Sequence, residues 1–288
     1  MIDARAAVWL EGRPFVPGGN LESLLRALRY GDGLFATLRI EKRRLLGAKR
    51  HAARLLAGAE RLGLAPPEGF EREEVIPARL AAIAAELDAS AEGVLRCQWS
   101  AEGTSRGYGR GRNSIALVEF SPVPPPRIPS LRVLPDGSVP PATLPGIKSC
   151  NAISHVLAAN EALRLGVDEV VRVHDGRITE CAASNLFFER EGRLLTPADS
   201  LPLYPGVVRQ RVMEVAAALG IEIVKGEWTP EDLLACDGLI LTNSVRGVEF
   251  VAGLDDRELG TTPLTRELVS AVRAARQADA LPFPEIGP

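Results

Sequence analysis

"LPGIKSCNAISHVLAAN", residues 144–160, holds one of only four lysines in a 288-residue chain whose lysines and arginines together number 34. Lys42, Lys49 and Lys225 stand in polar stretches (EKRR, AKR, EIVKGE). Lys148 instead follows a Pro-Gly-Ile turn and precedes an Ala-, Val- and Leu-rich segment. Apolar surroundings disfavour an ammonium and leave a neutral, nucleophilic amine. A Schiff base with an aldehyde cofactor or a carbonyl substrate needs such an amine. A lysine also packs its stem and carries its charge out to water in many proteins. The stretch alone leaves both readings open.

Working outward, the spacing predicts a helix over Asn151–Leu165, stopped by Gly166. Upstream, SPVPPPRIPS (121–130) is the clearest break and reads as a linker between an α+β domain over 1–120 and a larger one over 131–288 that carries Lys148. In the first, VWLEGRPFVP resembles a hairpin and LFATLRIEKRRLLGA two strands around a charged turn. Helices are expected over 51–64 and 78–89, and strands at 95–100 and 114–120 flank the loop AEGTSRGYGRGRN. In the second, LRVLP, EVVRVHDG, RITECAASNLFFE and RLLTP read as strands. A helix over Val207–Leu219, strands in IEIVKGE and GLILTN, and a last helix near Pro263–Gln277 follow. Strands and helices cluster instead of alternating, which favours two α+β lobes over a doubly wound sheet. The GYGRG glycines lack the strand–turn–helix order of a dinucleotide site.

Composition narrows the function. A net charge of −3 and a pI near 5.8 give no electrostatic reason to expect nucleic acid or an anionic membrane. MIDARAAVWLEGR lacks the apolar core of a signal peptide. No apolar run approaches the ~20 residues of a spanning helix, so a cytoplasmic protein is expected. Cys97, Cys150, Cys181 and Cys236 form no CxxC, and His51, His155 and His174 are dispersed, so no metal is expected.

Other segments carry possible chemistry. In ITECAASNLFF (178–188), Glu180 precedes small residues that would let its carboxylate approach a planar ring, although an exposed strand glutamate fits the pattern as well. Pyridoxal phosphate needs an acid beside its pyridine nitrogen to act as an electron sink. YPGVVRQRVMEVAAALG (204–220) sets Gly206 before a helix whose first amides can hold an anion. LTNSVRG (241–247) adds hydroxyls and amides at a strand end, and HAAR (51–54) places Arg54, a bidentate phosphate binder, one turn from His51.

In chain order, YGDGLFATLR, HAARL, IKSCN, TECAASNLF, PGVVRQ and LTNS resemble the fold-type IV pyridoxal-phosphate enzymes. These are the branched-chain and D-amino-acid aminotransferases and the aminodeoxychorismate lyases, and the resemblance runs from about Val8 to Gly260. It implies a two-lobed, D-amino-acid aminotransferase-like α+β fold and pyridoxal 5'-phosphate as cofactor. By it, Lys148 is the Schiff-base lysine, Glu180 the ring-nitrogen partner and Arg54 the phosphate arginine. The Val207 and Val208 amides, the Ser244 hydroxyl and the Val245 amide form the phosphate cup. Val208 departs from the family's usual threonine, and Ile153 stands where branched-chain enzymes carry a tyrosine, which argues against that subgroup. Ala36 in place of a glutamate beside Thr37, Arg106 and Tyr108 in SRGYG as a carboxylate grip, and Asn243 in LTNS all favour a lyase. Arg246 is a further substrate candidate without a clear family counterpart. The implied reaction turns 4-amino-4-deoxychorismate into 4-aminobenzoate and pyruvate in folate synthesis, with Lys148 as base and Thr37 assisting proton delivery. The alternative is transamination of D-amino or other amino acids with a 2-oxo acid. The family also implies a homodimer with its active site between the lobes.

Overall fold

Two units emerge from a computed structural model that describes residues 7–10, 13–14, 25–87, 91–103, 107–109 and 111–284. The first comprises residues up to Pro124 with Ile147–Asn151 and the segment from Asp279; the second comprises Pro125–Gly146 and Ala152–Ala278.

The first unit contains β1 (Ala7–Leu10), β2 (Arg13–Pro14), α1 (Leu25–Tyr30), β3 (Gly33–Glu41), β4 (Arg44–Leu45), α2 (Ala48–Leu62), α3 (Ile76–Glu86), β5 (Glu92–Ala101) and β6 (Ser114–Ser121). In β3, Leu34, Ala36, Leu38 and Ile40 are buried, whereas Phe35, Thr37 and Arg39 take the other face, the period-2 pattern of a strand with one core side. The seven-stranded sheet runs β17-β4-β3-β5-β6-β1-β2, where β17 is Leu281–Pro282, and every pairing is antiparallel. The β3–β4 turn holds Lys42 and Arg43 at φ 51° and 56°, the left-handed pair that a two-residue hairpin requires. Helix α2 buries Ala48, Ala52, Leu55 and Ala59 against the sheet. It approaches closely because residue 58 is glycine: a Cβ there would meet Leu34 Cδ1 at 2.7 Å.

The second unit contains β7 (Ser130–Val133), α4 (Ile153–Leu165), β8 (Glu169–His174), β9 (Arg177–Cys181), β10 (Asn185–Arg190), β11 (Arg193–Pro197), α5 (Val207–Ala218), β12 (Ile223–Gly226), α6 (Pro230–Leu234), β13 (Gly238–Asn243), β14 (Gly247–Phe250), β15 (Gly253–Leu254), β16 (Arg257–Glu258) and α7 (Pro263–Ala278). Two five-stranded sheets, β12-β11-β10-β13-β14 and β16-β15-β7-β8-β9, share a core of Val171, Val173, Ile178, Leu186, Phe188 and Leu241. Phe187 and Ile240 face the other way, onto Val212 of α5 and Leu268 of α7. The unbroken apolar run LFF thus belongs to a strand covered on both faces.

The mixed α+β fold agrees with expectation; three details do not. RITECAASNLFFE is two strands in different sheets, because Cys181 N–H donates to Ser184 O at 2.8 Å and turns the chain at the small residues Ala182–Ser184. The lysine segment goes with the first unit instead of the 131–288 domain. Phe35 N–H donates to Lys148 O at 2.9 Å and Cys150 N–H to Gly33 O at 2.8 Å, a short bridge onto β3. The chain also returns to the first unit at its end, where β17 pairs with β4. Among the described residues, no helix is long and apolar enough to cross a membrane, and no cluster of His, Cys, Asp or Glu could hold a metal ion.

Candidate active site

In the first unit the bridge to β3 fixes Lys148, whose Nζ lies 4.9 Å from the centre of the Phe35 ring. The Arg96 guanidinium carbon stands 3.6 Å from the same ring centre. Thr37 shares this face of β3 with Phe35 and pairs across the ladder with Arg96. From Arg96 a polar ladder continues, Nη2 to Gln98 Oε1 at 3.2 Å and Gln98 Nε2 to Ser100 Oγ at 3.0 Å. Burial lowers the Arg96 pKa, against the opposing influence of Cys150 and Glu119. Ala36, fully buried, lies on the opposite face of β3 from Phe35 and Thr37. On α2, Arg54 Nη2 lies 3.2 Å from Nδ1 of the buried His51, as the HAAR spacing anticipates.

Arg106 lies outside the described residues. Tyr108 is exposed and its loop is clamped from below. Arg26, 2 % exposed, donates to the carbonyls of Gly107 and Tyr108 at 3.2 Å and of Gly109 at 3.4 Å, and pairs with Asp32 at 3.1 Å. Gly107 N–H donates to Tyr30 Oη at 3.2 Å. Sequence reading passed over Arg26; its one signal is an arginine in the otherwise apolar start of LRALRY.

In the second unit Glu180 is the last residue but one of β9 and is 3 % exposed. Its Oε2 accepts from Tyr204 N–H at 2.9 Å and Asn185 Nδ2 at 3.4 Å. Its Oε1 accepts from Arg172 Nη1 at 3.3 Å, with His155 Nε2 at 3.1 Å. The sequence reading missed Arg172, His155 and Asn185; the only cue was an arginine inside the valine-rich EVVRVH. Burial lowers the Arg172 pKa while the Glu180 charge opposes that shift. Asn185 also grips the turn before α5, donating to Tyr204 O at 2.7 Å and accepting from Gly206 N–H at 3.0 Å. Gly206, extended at φ −66° and ψ 148°, gives α5 no side-chain cap, so the first-turn amides of Val207 and Val208 remain an anion-binding end. Arg209, 1 % exposed, anchors that turn through Asp199 Oδ1 at 2.5 Å and Pro197 O at 2.7 Å.

In the LTNS turn, three of the expected site residues make contacts within the fold. Val245 N–H donates to Asn243 Oδ1 at 2.8 Å, a bond internal to the turn. Asn243 uses its other end on Ala183 O at 2.7 Å, a brace between two turns. Arg246 donates to Pro125 O at 2.8 Å and faces Glu249 at 3.8 Å, which ties down the proline-rich segment. Ser244 stays at the turn, its carbonyl held by Arg276 at 2.8 Å.

Pyridoxal phosphate fits these residues by chemistry. Its aldehyde suits Lys148, its cationic ring nitrogen the buried Glu180 carboxylate, and its phosphate the uncapped start of α5. Next to Asn185 in the ladder, the buried Thr242 hydroxyl has no hydrogen-bond partner among the described residues, a further polar atom on that side of β13.

The family model described as Amino-transferase class IV matches residues 33–253. A putative branched-chain-amino-acid aminotransferase of Methanocaldococcus jannaschii is 29 % identical over 80 % of this chain and 81 % of its own. A bifunctional aminodeoxychorismate lyase / D-amino acid transaminase of Mycobacterium tuberculosis is 29 % identical over 94 % of this chain and 99 % of its own. The crystal structure of a branched-chain aminotransferase from Thermoproteus uzoniensis superposes with a TM-score of 0.86 at 21 % identity, covering 96 % of this chain and 99 % of that one.

Proposed function

Since this chain belongs to the class IV aminotransferase family, whose cofactor is pyridoxal 5'-phosphate, we propose that it is an aminodeoxychorismate lyase of folate synthesis. Bound there, the cofactor supplies an electron sink conjugated to the substrate's amine. Lys148 then takes the proton from the substrate carbon that bears the amine. The ring carbon–oxygen bond breaks, the six-membered ring becomes aromatic, and the departing enolpyruvyl group leaves as pyruvate. No water, oxidant or second substrate enters. Thr37 delivers a proton to the leaving group, Glu180 keeps the ring nitrogen protonated, and Arg54 with the Val207 and Val208 amides and the Ser244 hydroxyl holds the phosphate. Arg106 and Tyr108 receive a substrate carboxylate.

One observation carries this reading: Thr37 shares a strand face with Phe35, whose ring lies 4.9 Å from Lys148 Nζ, so a hydroxyl and an amine serve the same side of one sheet. A second reading, transamination of D-amino acids, draws on the Mycobacterium tuberculosis relative whose name joins both activities. The purified enzyme is therefore given 4-amino-4-deoxychorismate alone, and separately D-alanine with 2-oxoglutarate. Equimolar 4-aminobenzoate and pyruvate support the lyase; amino transfer with no 4-aminobenzoate sinks it in favour of the second reading. The proposal includes a homodimer, to be checked by sedimentation equilibrium.

A further inference from the structure

Between β8 and β9 the antiparallel ladder slips. Val171 pairs with Cys181, but Val173 pairs with Ile178, so Arg172 faces two residues, Thr179 and Glu180. Such a bulge re-aims side chains. The Thr179 hydroxyl satisfies the Arg172 carbonyl at 3.2 Å, and the Arg172 guanidinium crosses to Glu180. Val171 and Val173 point into the core between the sheets, while Val170 on the opposite face packs with Val139 and Ala158 of α4. A leucine or valine at 172 would suit that setting at a lower desolvation cost. Buried ion pairs contribute little net stability compared with apolar pairs of equal volume. The arginine thus answers to something other than packing.

Its partner is the carboxylate assigned to the cofactor. Glu180 accepts four donors, two on each oxygen. That fills the roughly four lone-pair positions a carboxylate offers, so a ring N–H arriving as a fifth donor must displace one. Asn185 Nδ2 holds Glu180 at 3.4 Å while bonding Tyr204 O more closely at 2.7 Å, and His155 is 29 % exposed. Arg172 is 3 % exposed and held at both prongs, Nη1 on Glu180 and Nη2 on Pro140 O at 2.9 Å. It is the donor that stays.

We propose that Arg172 is a positioning residue for Glu180, fixing the carboxylate as an oriented anion ready to pair with the cationic ring nitrogen of pyridoxal 5'-phosphate. This rests on the reading of Glu180 as the ring-nitrogen partner.

The test titrates cofactor-stripped enzyme with pyridoxal 5'-phosphate and with its 1-deaza analogue, whose ring carries no basic nitrogen, following tryptophan fluorescence. R172M is expected to weaken the natural cofactor roughly tenfold, the scale of one charge-assisted hydrogen bond. The deaza analogue should be unaffected, and in an E180Q background R172M should cost nothing further. R172K keeps the charge without the fork that spans Glu180 and Pro140, so it should lose about threefold, again only for the natural cofactor; it carries the test if R172M does not fold. Equal losses for both ligands would mark a packing role and overturn the proposal. So would unchanged affinity in R172M and R172K while E180Q weakens the natural cofactor. If E180Q itself has no selective effect, the reading of Glu180 fails first and this proposal with it.

Discussion

Phe35 holds Lys148 at two points: its amide N–H donates to the lysine carbonyl at 2.9 Å, and its ring centre lies 4.9 Å from the lysine Nζ. The backbone bond depends only on strand pairing, whereas the ring contact depends on the side chain. The two are separable by mutation. K148A should eliminate the covalently attached cofactor that borohydride traps on wild-type enzyme, together with turnover. F35L preserves the bridge but removes the aromatic face, worth about 1 kcal/mol; cofactor should still be trapped, with kcat lowered roughly fivefold. Trapping of cofactor elsewhere in K148A, by peptide mapping, would move the nucleophile off this residue.

Gly206 allows the α5 start to close on Asn185. A Cβ at 206 would meet Asn185 Oδ1 at 2.5 Å, and the Gly206 N–H···Oδ1 bond at 3.0 Å would be lost or stretched. G206A should therefore lower stability by about 1–3 kcal/mol and disturb the anion-binding amides. The discriminating measurement is affinity for pyridoxal 5'-phosphate relative to pyridoxal. The advantage conferred by the phosphate should shrink roughly tenfold in G206A, and an unchanged ratio would place the phosphate elsewhere.

Arg26 reaches three successive carbonyls, of Gly107, Tyr108 and Gly109, from a position 2 % exposed. Removing it leaves those carbonyls to water and loosens the loop that presents Tyr108. With the loop as the proposed substrate grip and Lys148 as the proposed base, R26M should raise KM several-fold while kcat changes less. A fall in kcat at constant KM would argue against the loop as a carboxylate grip.

What the sequence displayed was local. The alternation of GLFATLRIE, the Pro-Gly start of α5 and the Lys148 turn each follow from a few neighbouring residues. Glu180 and Lys148 stood out because their neighbours in the chain are distinctive. Arg172, Arg26 and Asn185 did not, because each acts through partners that only pairing across the fold supplies. Arg26 and its carbonyls are about 80 residues apart. Arg172 meets Glu180 across the β8–β9 ladder, where the register shifts by one residue, and strand register leaves no mark on composition. The assignment of Ile147–Asn151 to the first unit has the same origin, a bridge to β3 from more than a hundred residues away.

Alkaline stability offers a test of core burial independent of the cofactor. Burial pushes the Cys97 thiol up to about 12, against weaker opposing effects of Trp99 and Arg96, and pushes Cys236 up to about 11. Both thiols stay protonated in the folded chain at pH values where the unfolded chain, with thiols near 9, has released them. The unfolded state then binds fewer protons, so stability is complete below pH 9 and falls as pH rises toward 11 to 12. Between pH 8 and 10 each thiol should cost on the order of 1 kcal/mol. Lysine and tyrosine titration adds a background common to all variants. The measurement is therefore the difference in urea midpoint between wild type and C97A/C236A at each pH. That difference should move in favour of the variant above pH 9 and stay constant below it, and a difference independent of pH would mean that these thiols are not held in the core.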